Sequence, residues 1–362
     1  MQSRTILLFE NSIKSEQTKK QYNYQLKRFV KFCRLKEFES LLSIDSKTMQ
    51  TMLEDYIIDM KTRVKPGTIK VAIAAIELYF VVNDKVDINF RKLRKLIPSL
   101  GKPSGRKAWS TANIEKMLNC TLEIRSKAII HLMASTGCRI GAIPDLRMCD
   151  VMDIEDGCKV LTFYRDDSEE YVGFLTPEAS ECLDIYLDQR KRDGEVFNDD
   201  SPLFRNQYRF GSEPTKPMSV ESMANMVKRI LRLTNLRGVK NGRRYDVQQN
   251  HGFRKRFNTI LKMNNDIAPA ITEKLMGHKI ALDGVYFVPE IQDLFAEFRK
   301  AIPELTINIA KKQEMKITKL EQEKQELEEK NTEIAKLKKI QTEQIENQKI
   351  ILNVLKNKGI IP

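Results

Sequence analysis

A run rich in proline and glycine divides this chain into parts that fold separately. Residues 98–107 read PSLGKPSGRK and contain two prolines, two glycines and three basic residues. Because proline and glycine interrupt helices and strands, such a run is typical of a flexible, cationic linker. We place the linker at residues 101–108, and we expect a helical domain over 1–100, a mixed domain over 109–305 and a coiled coil over 306–358.

Apolar residues recur at helical spacing through the first of these parts. The pattern predicts one helix over residues 18–33 and a second over 46–63. A third, over 68–82, is apolar on most sides, which is typical of the central helix of a small bundle. A shorter basic helix is predicted near residues 90–97.

The mixed domain combines helices with one predicted hairpin. Residues 159–164 and 171–176 are β-rich runs on either side of a polar turn. The predicted helices cover 112–119, 124–136, a segment that begins at Pro177, 218–233, 250–263 and 271–276. We therefore expect a mainly α fold with a small β-sheet, of the α+β class.

Heptad spacing distinguishes the C-terminal part. Position a holds Ile317, Lys324, Asn331, Lys338, Ile345 and Leu352, and position d holds Leu320, Leu327, Ile334, Gln341, Gln348 and Leu355. This pattern predicts a coiled coil, which the polar a residues weaken and which Asn331 would direct towards two strands. A single charged helix or a partly ordered tail is the alternative.

Composition points to a polyanionic partner. The chain carries 62 Lys and Arg against 49 Asp and Glu, a formal net charge of +13. No apolar run approaches the roughly 18–20 residues that span a bilayer, and we find no signal peptide. The six cysteines are scattered without a CxxC pair, which argues against zinc fingers and a disulfide scaffold. We expect a cytoplasmic, nucleoid-associated protein in a reducing cytosol, without contact to a membrane.

Positive charge is concentrated between residues 228 and 256, where ten Lys and Arg stand against one acid, Asp246. Such density predicts contacts to DNA phosphates and a steep salt dependence. The expected DNA-binding residues are Lys228, Arg229, Arg232, Lys240, Arg243, Arg244, Lys255 and Arg256. A solvated basic surface is the alternative.

Three short segments hold side chains suited to a phosphate. In STGCR, a helix-ending glycine precedes Arg139, whose planar guanidinium fits two phosphate oxygens. In NHGFRKRF, His251 and Arg254 are three residues apart and share a helix face. LMGHK and the following VYF supply His278 and Tyr286. Each segment alone is a weak signal, because surface arginines, incidental histidines and core tyrosines are common.

Taken in order, these segments resemble the tyrosine recombinase (phage integrase) family. STGCRIGAIPDLRMCDV resembles its first-arginine box, NHGFRKRF its HxxR box and LMGHK…VYF its LGH…Y box. The resemblance covers roughly residues 18–290, and the helical N-terminal part and linker match the family's core-binding domain and connector. It implies a clamp around duplex DNA in which the C-terminal domain performs the chemistry.

The resemblance also implies a role for each matching residue. Arg139 and Arg254 would hold the non-bridging oxygens of the scissile phosphate. His251 would be the acid–base residue and His278 would hydrogen-bond the phosphate. Tyr286 would be the nucleophile and form a covalent 3′-phosphotyrosine, a reaction that requires neither ATP nor a metal, so we expect no cofactor.

One departure concerns the general acid. The family places a lysine on the β-hairpin turn, whereas this chain has Arg165 there. An arginine effectively never releases its proton, so it could polarise the leaving oxygen but would be a poor acid. Lys159, on the first strand, is the alternative.

The resulting hypothesis is a site-specific recombinase or integrase that acts as a dimer or tetramer on DNA, with the coiled coil supporting assembly or recruiting another protein. A type IB topoisomerase-like enzyme would use nearly the same residues as a monomer. A DNA-binding protein with weakened catalysis is the other alternative, suggested by the missing lysine. The sequence leaves open the DNA target, whether integration, excision or dimer resolution is the task, and whether Tyr286 attacks in its own protomer's site.

Overall fold

The computed structural model describes residues 3–85, 87–99, 107–207, 215–238, 240–241, 244–278 and 287–357. The chain divides into two units, Met1–Pro103 and Ser104–Pro362. Across the described ranges, no helix is both long enough and apolar enough to cross a bilayer.

Helices form the first unit. They are α1 (Arg4–Asn11), α2 (Glu16–Phe32), α3 (Ser40–Ser43), α4 (Ser46–Arg63), α5 (Pro66–Val82) and α6 (Phe90–Leu96). α5 begins with a proline, whose fixed φ and missing N–H suit a first helical turn. Ile69, Ile76 and Phe80 on α5 are fully buried, and the helix packs against α1, α2, α4 and α6. The prediction of a central helix in a small bundle is therefore confirmed.

The second unit surrounds a small sheet with helices. Its elements are α7 (Thr111–Cys120), α8 (Ile124–Thr136), β1 (Val151–Asp153), β2 (Lys159–Phe163), β3 (Tyr171–Leu175), α9 (Pro177–Arg192), α10 (Val220–Leu233), β4 (Lys240–Asn241), β5 (Arg244–Tyr245), α11 (His251–Met263), α12 (Pro269–Leu275), α13 (Ile291–Arg299), α14 (Ile302–Leu305) and α15 (Ile309–Asn357). The expected mainly helical α+β class is confirmed.

The predicted hairpin is present as β2 and β3, which pair antiparallel with Leu161 opposite Gly173. β1 adds a third antiparallel strand, with Val151 opposite Leu161, and gives the order β1–β2–β3. The sequence analysis missed β1 because a strand of three residues is too short to show an alternating pattern. It also missed α13 and α14, which pack beside α11, α12 and β3.

α8 lies in the centre of the second unit, packed against α9, α11 and β3. Its end is tied to the sheet by Ser135, whose hydroxyl donates to the Phe174 carbonyl at 3.0 Å and accepts from the Thr176 N–H at 2.7 Å. The helix ends at Gly137 with φ +59°, and a Cβ there would lie 2.7 Å from the Phe257 side chain. A glycine is therefore required at the point where the chain turns towards Arg139.

The long helix α15 begins on the second unit and extends along the heptad segment. Glu178 accepts from the Asn308 N–H at 3.0 Å, and Lys311 pairs with Glu181 at 2.6 Å. Its apolar residues are exposed in this single chain: Ile317, Leu320, Leu327, Ile334, Leu337, Ile340, Ile345, Ile350 and Ile351. The helix is confirmed, whereas its pairing into a coiled coil stays a prediction.

His131 on α8 should make the fold sensitive to acid. Burial, followed by the charges of Lys127 and Lys311, lowers the pKa of His131 to about 4. Its Nδ1 atom is buried without a hydrogen-bond partner. Since the unfolded chain takes up this proton from about pH 6.5 downwards, we expect stability to fall by at most about 1.4 kcal/mol per pH unit between 6.5 and 4.

Chemical denaturation of the wild-type chain and of His131→Gln at several pH values measures this effect. As the pH falls from 6.5 to 4, the free energy of unfolding should decrease more steeply for the wild type than for the variant. Parallel pH profiles for the two proteins would contradict the assignment.

Candidate active site

Arg254 connects three segments that are distant in the sequence. It lies in the first turn of α11 and is only 7% exposed. Its Nη1 donates to the Gly137 carbonyl at 2.9 Å, and its Nη2 donates to the Met276 carbonyl at 2.5 Å. The end of α8 and the turn after α12 are thus both fixed to one guanidinium.

Arg139 lies beside this junction. Its side chain is exposed, and its Nη1 donates to the Gly277 carbonyl at 3.5 Å. Burial lowers the pKa of the Arg254 guanidinium, and the positive charge of Arg139 lowers it further. Because the charge of Arg139 acts on Arg254, an anion bound near both guanidinium groups would be favoured.

His251 is the first residue of α11 and is exposed on the same helix face as Arg254. The start of α11 is held by Trp109, whose Nε1–H donates to the Gln249 carbonyl at 2.9 Å. Burial is the main cause that lowers the pKa of His251, followed by the charges of Arg254, Lys255 and Arg139. A neutral imidazole, able to accept a proton, is therefore favoured at neutral pH.

His278 follows a left-handed glycine at the end of α12. Gly277 has φ +59°, and a Cβ there would lie 2.6 Å from the Tyr171 ring. The His278 N–H donates to the Glu273 carbonyl at 3.0 Å, and its Nδ1 contacts the Glu273 carboxylate. The turn therefore presents His278 next to the two carbonyls that bind Arg139 and Arg254.

The structure thus brings four of the expected site residues to one place. Arg139, His251 and Arg254 influence one another electrostatically, and the turn that carries His278 supplies the carbonyl partners of both arginines. Tyr286, the expected nucleophile, lies outside the described residues. In the part of the chain that the structure covers, no group of three or more His, Cys, Asp or Glu could hold a metal ion.

Both candidates for the general acid are engaged elsewhere. The Arg165 Nε pairs with the buried Asp150 carboxylate, and its Nη2 donates to the Cys149 carbonyl at 2.8 Å. Lys159 pairs with Asp153 and, at 3.1 Å, with Asp184.

Two tyrosines of the hairpin, Tyr164 and Tyr171, are within the electrostatic influence of Arg139 and Arg254. Burial raises the pKa of Tyr164, and the charges of Arg139 and Arg254 act against that shift. The Tyr171 hydroxyl is buried beside Arg254, and its ring stacks on Phe163 with the ring centroids 4.9 Å apart.

Only some of the basic residues between 228 and 256 are exposed at the surface. Arg229 and Arg232 are exposed and Lys228 and Lys255 are partly exposed, whereas the side chains of Lys240 and Arg244 and the whole of Arg243 lie outside what the structure describes. Arg256 does not fit its expected DNA-binding role, because it is 4% exposed. Its Nη2 donates to the Thr111 hydroxyl at 3.1 Å and to the Glu304 carbonyl at 3.0 Å. Through these bonds Arg256 joins α11 to α7 and α14. Burial lowers its pKa to about 10.

Two neighbours of the site were missed by the sequence analysis. Glu273 has a signal in the sequence. When a helix ends at a glycine, the residue directly after the glycine lies close to the residue four positions before the glycine. Here that pair is His278 and Glu273. Tyr171 carries no such signal, because its contact with Gly277 depends on how the hairpin packs on α12.

Comparison with known proteins agrees with this arrangement. Residues 109–281 match the model of the phage integrase family. The tyrosine recombinase XerC of Lactobacillus leichmannii is 26% identical over 185 residues, which are 50% of this chain and 56% of that protein. A tyrosine recombinase of Agathobacter rectalis is 27% identical over 247 residues, or 62% of this chain and 72% of that protein. The chain thus spans little more than half the length of the XerC relative.

Solved structures show the same fold. The Tn1549 transposon integrase in complex with transposon right end DNA has a TM-score of 0.55 at 15% identity, covering 81% of this chain and 97% of that one. The XerH site-specific recombinase bound to difH substrate has a TM-score of 0.52 at 22% identity, covering 77% of each chain. Residues 109–281, just under half of the chain, thus resemble the phage integrase family, and the relatives and solved structures named above are tyrosine recombinases and integrases.

Proposed function

We propose that the chain is a site-specific DNA recombinase, or integrase, that breaks and rejoins DNA strands through a covalent 3′-phosphotyrosine. One observation carries the proposal: Arg254 binds the carbonyls of Gly137 and Met276, and so gathers the residues of all three family motifs at one exposed, positively charged surface. The match of residues 109–281 to the phage integrase family supports the same conclusion.

The reaction is a pair of transesterifications. The phenolic oxygen of Tyr286 attacks the scissile phosphorus and the bond from phosphorus to the 5′-oxygen breaks. The phenolic proton passes to a base, and the 5′-oxygen leaves with a proton from an acid. A 5′-hydroxyl then attacks the phosphotyrosine in the reverse sense. Because one ester replaces another, the bond energy is kept and neither ATP nor a metal is required.

The two arginines supply the electrostatic part of catalysis. A phosphodiester repels a nucleophile until its charge is neutralised, and negative charge increases in the transition state. Arg139 and Arg254 are already held near each other by backbone carbonyls before DNA binds. Loss of one preorganised donor of this kind typically costs about 10²–10³ in rate.

The histidines divide the remaining roles. His251 has a lowered pKa and is the proton acceptor for the Tyr286 phenol. His278 donates a hydrogen bond to a phosphate oxygen. DNA affinity comes from the exposed basic residues of α10, Arg229 and Arg232, together with the helical first unit as the core-binding domain.

A second candidate function has a specific observation in its favour. Arg165 is held by Asp150, and Lys159 by Asp153 and Asp184. While these ion pairs are kept, neither residue is available as the general acid that the family lysine provides. This favours, as the alternative, a DNA-binding protein with weakened catalysis.

We further propose that the protein works as a dimer or tetramer on DNA within the cytoplasm, associated with the nucleoid. The exposed apolar residues of α15 would pair with a second copy, or with another protein, as a coiled coil.

Replacement of Tyr286 tests catalysis directly. On a duplex with a nick near the cleavage point, the wild-type chain should form a covalent DNA adduct, because the small fragment diffuses away and blocks religation. Tyr286→Phe should bind the duplex with unchanged affinity and form no adduct. Peptide mapping of the adduct should identify Tyr286, and a wild-type chain that binds without forming an adduct would support the DNA-binding alternative.

Cleavage should depend on the protonation of His251. Since its pKa lies below the ordinary value of about 6.5, the rate at subsaturating DNA should stay level down to that pH and fall only in more acidic buffer. A pH series of single-turnover adduct formation measures this, with His251→Gln as the control that should be slow and lack the same inflection. An inflection above about pH 7 in the wild type would contradict the assignment.

Self-association should depend on the heptad leucines. Sedimentation of the full chain without DNA should show a dimer or larger species, and Leu320→Asn with Leu327→Asn should shift it to the monomer, because both residues would pack against the partner helix. Exposed Lys336→Ala on the same helix is the matched control and should leave the mass unchanged, because Lys336 lies at position f, on the face away from the partner helix. A wild-type monomer would contradict pairing between copies.

A further inference from the structure

We infer that Glu273 is a positioning residue for His278 and sets which imidazole nitrogen faces the DNA. The inference rests on the proposed function, in which His278 contacts the scissile phosphate. It adds a residue that none of the three motifs gave a catalytic or binding role.

Glu273 holds His278 through both its main chain and its side chain. The Glu273 carbonyl accepts from the His278 N–H at 3.0 Å, and the Lys274 carbonyl accepts from the Gly277 N–H at 2.8 Å. These two bonds, around a glycine with φ +59°, form the Schellman ending of a helix. The Glu273 carboxylate contacts His278 Nδ1 as well. The backbone and the ring are thus fixed by one residue.

The Glu273 carboxylate is kept ionised by its surroundings. Lys262 of α11 pairs with it at 2.5 Å. The hydrogen bond from Lys262, followed by that from His278, lowers the pKa of Glu273. An ionised carboxylate only accepts hydrogen bonds, so the proton of the shared bond belongs to His278 Nδ1.

This assignment determines what His278 can offer to DNA. With Nδ1–H donated to Glu273, Nε2 is the nitrogen that faces a phosphate, and the ring cannot flip without losing its carboxylate partner. Nε2 donates to a phosphate oxygen only when it carries a proton as well, so the donating form is the ring with both nitrogens protonated, between the Glu273 carboxylate and the phosphate. The His278 side chain is 38% exposed and that of Glu273 is 22% exposed, so part of the imidazole is accessible to a ligand. In this proposal Glu273 acts on the reaction only through its contact with His278.

Two variants distinguish a positioning role of Glu273 from a role in folding alone. Glu273→Ala removes the acceptor, and Glu273→Gln keeps an acceptor without the charge. Glu297→Gln is the matched control, because Glu297 is also an ion-paired acid of the second unit, bound to Lys300 and to the Ala268 N–H at 3.0 Å. Since the chain has only three histidines, ¹⁵N labelling of histidine in the full chain reports the tautomer of His278 without DNA.

We expect the wild type and Glu297→Gln to show His278 with a proton on Nδ1. Glu273→Ala should abolish the preference for a proton on Nδ1 and slow adduct formation by about 10-fold to 100-fold, because the ring is no longer held with Nε2 towards the phosphate. The loss is comparable to that seen when a carboxylate that orients a metal-bound histidine is removed. Glu273→Gln should retain more of both the tautomer and the rate than Glu273→Ala does.

Two results would overturn the inference: an unchanged His278 tautomer in a folded Glu273→Ala chain, or a changed tautomer with an unchanged rate. Neither result touches the proposed function, which fails only if the wild type itself forms no adduct. In that case the ¹⁵N spectra still decide whether Glu273 orients His278.

Discussion

The site depends on one buried guanidinium. Burial replaces the hydrogen bonds of Arg254 to water by hydrogen bonds to the carbonyls of Gly137 and Met276. The like charge of Arg139 lies close by and lowers the pKa of Arg254 further. Carbonyl dipoles compensate a buried cation only in part, so positive potential remains at the surface where Arg139 and His251 are exposed. We expect a phosphate to neutralise this excess positive charge, because the hydrogen bonds that hold the three segments together also leave a site for an anion.

Two glycine-ended helices allow this closure. Gly137 ends α8 against the side chain of Phe257, and Gly277 ends α12 against the ring of Tyr171. Both turns have left-handed backbone angles, and both leave carbonyls free to bind an arginine. Because the aromatic partners come from α11 and β3, packing of the core fixes the positions of the turns. The two turns that carry Arg139 and His278 are thus held in place by packing inside the second unit.

Much of this was readable from the sequence. Helical spacing gave the central helix α5, the turn residues gave the β2–β3 hairpin, and the glycine before Arg139 gave the end of α8. Charge density overestimated the DNA surface, since Arg256 is buried as a structural donor to α7 and α14. The pairing of Arg165 with Asp150 was not predictable either, because it joins a hairpin turn to a short 3₁₀ turn through tertiary packing.

The central claim is that Arg139, His251, Arg254 and His278 form one binding site for a backbone phosphate. The most direct test is an experimental structure of the full chain, with Tyr286 replaced by phenylalanine, bound to a duplex that contains its cleavage site. The account predicts one DNA phosphate within hydrogen-bond distance of Arg139 and Arg254, with an imidazole nitrogen of each histidine directed at it. A complex in which that phosphate lies against other residues, and these four side chains face solvent, would contradict it.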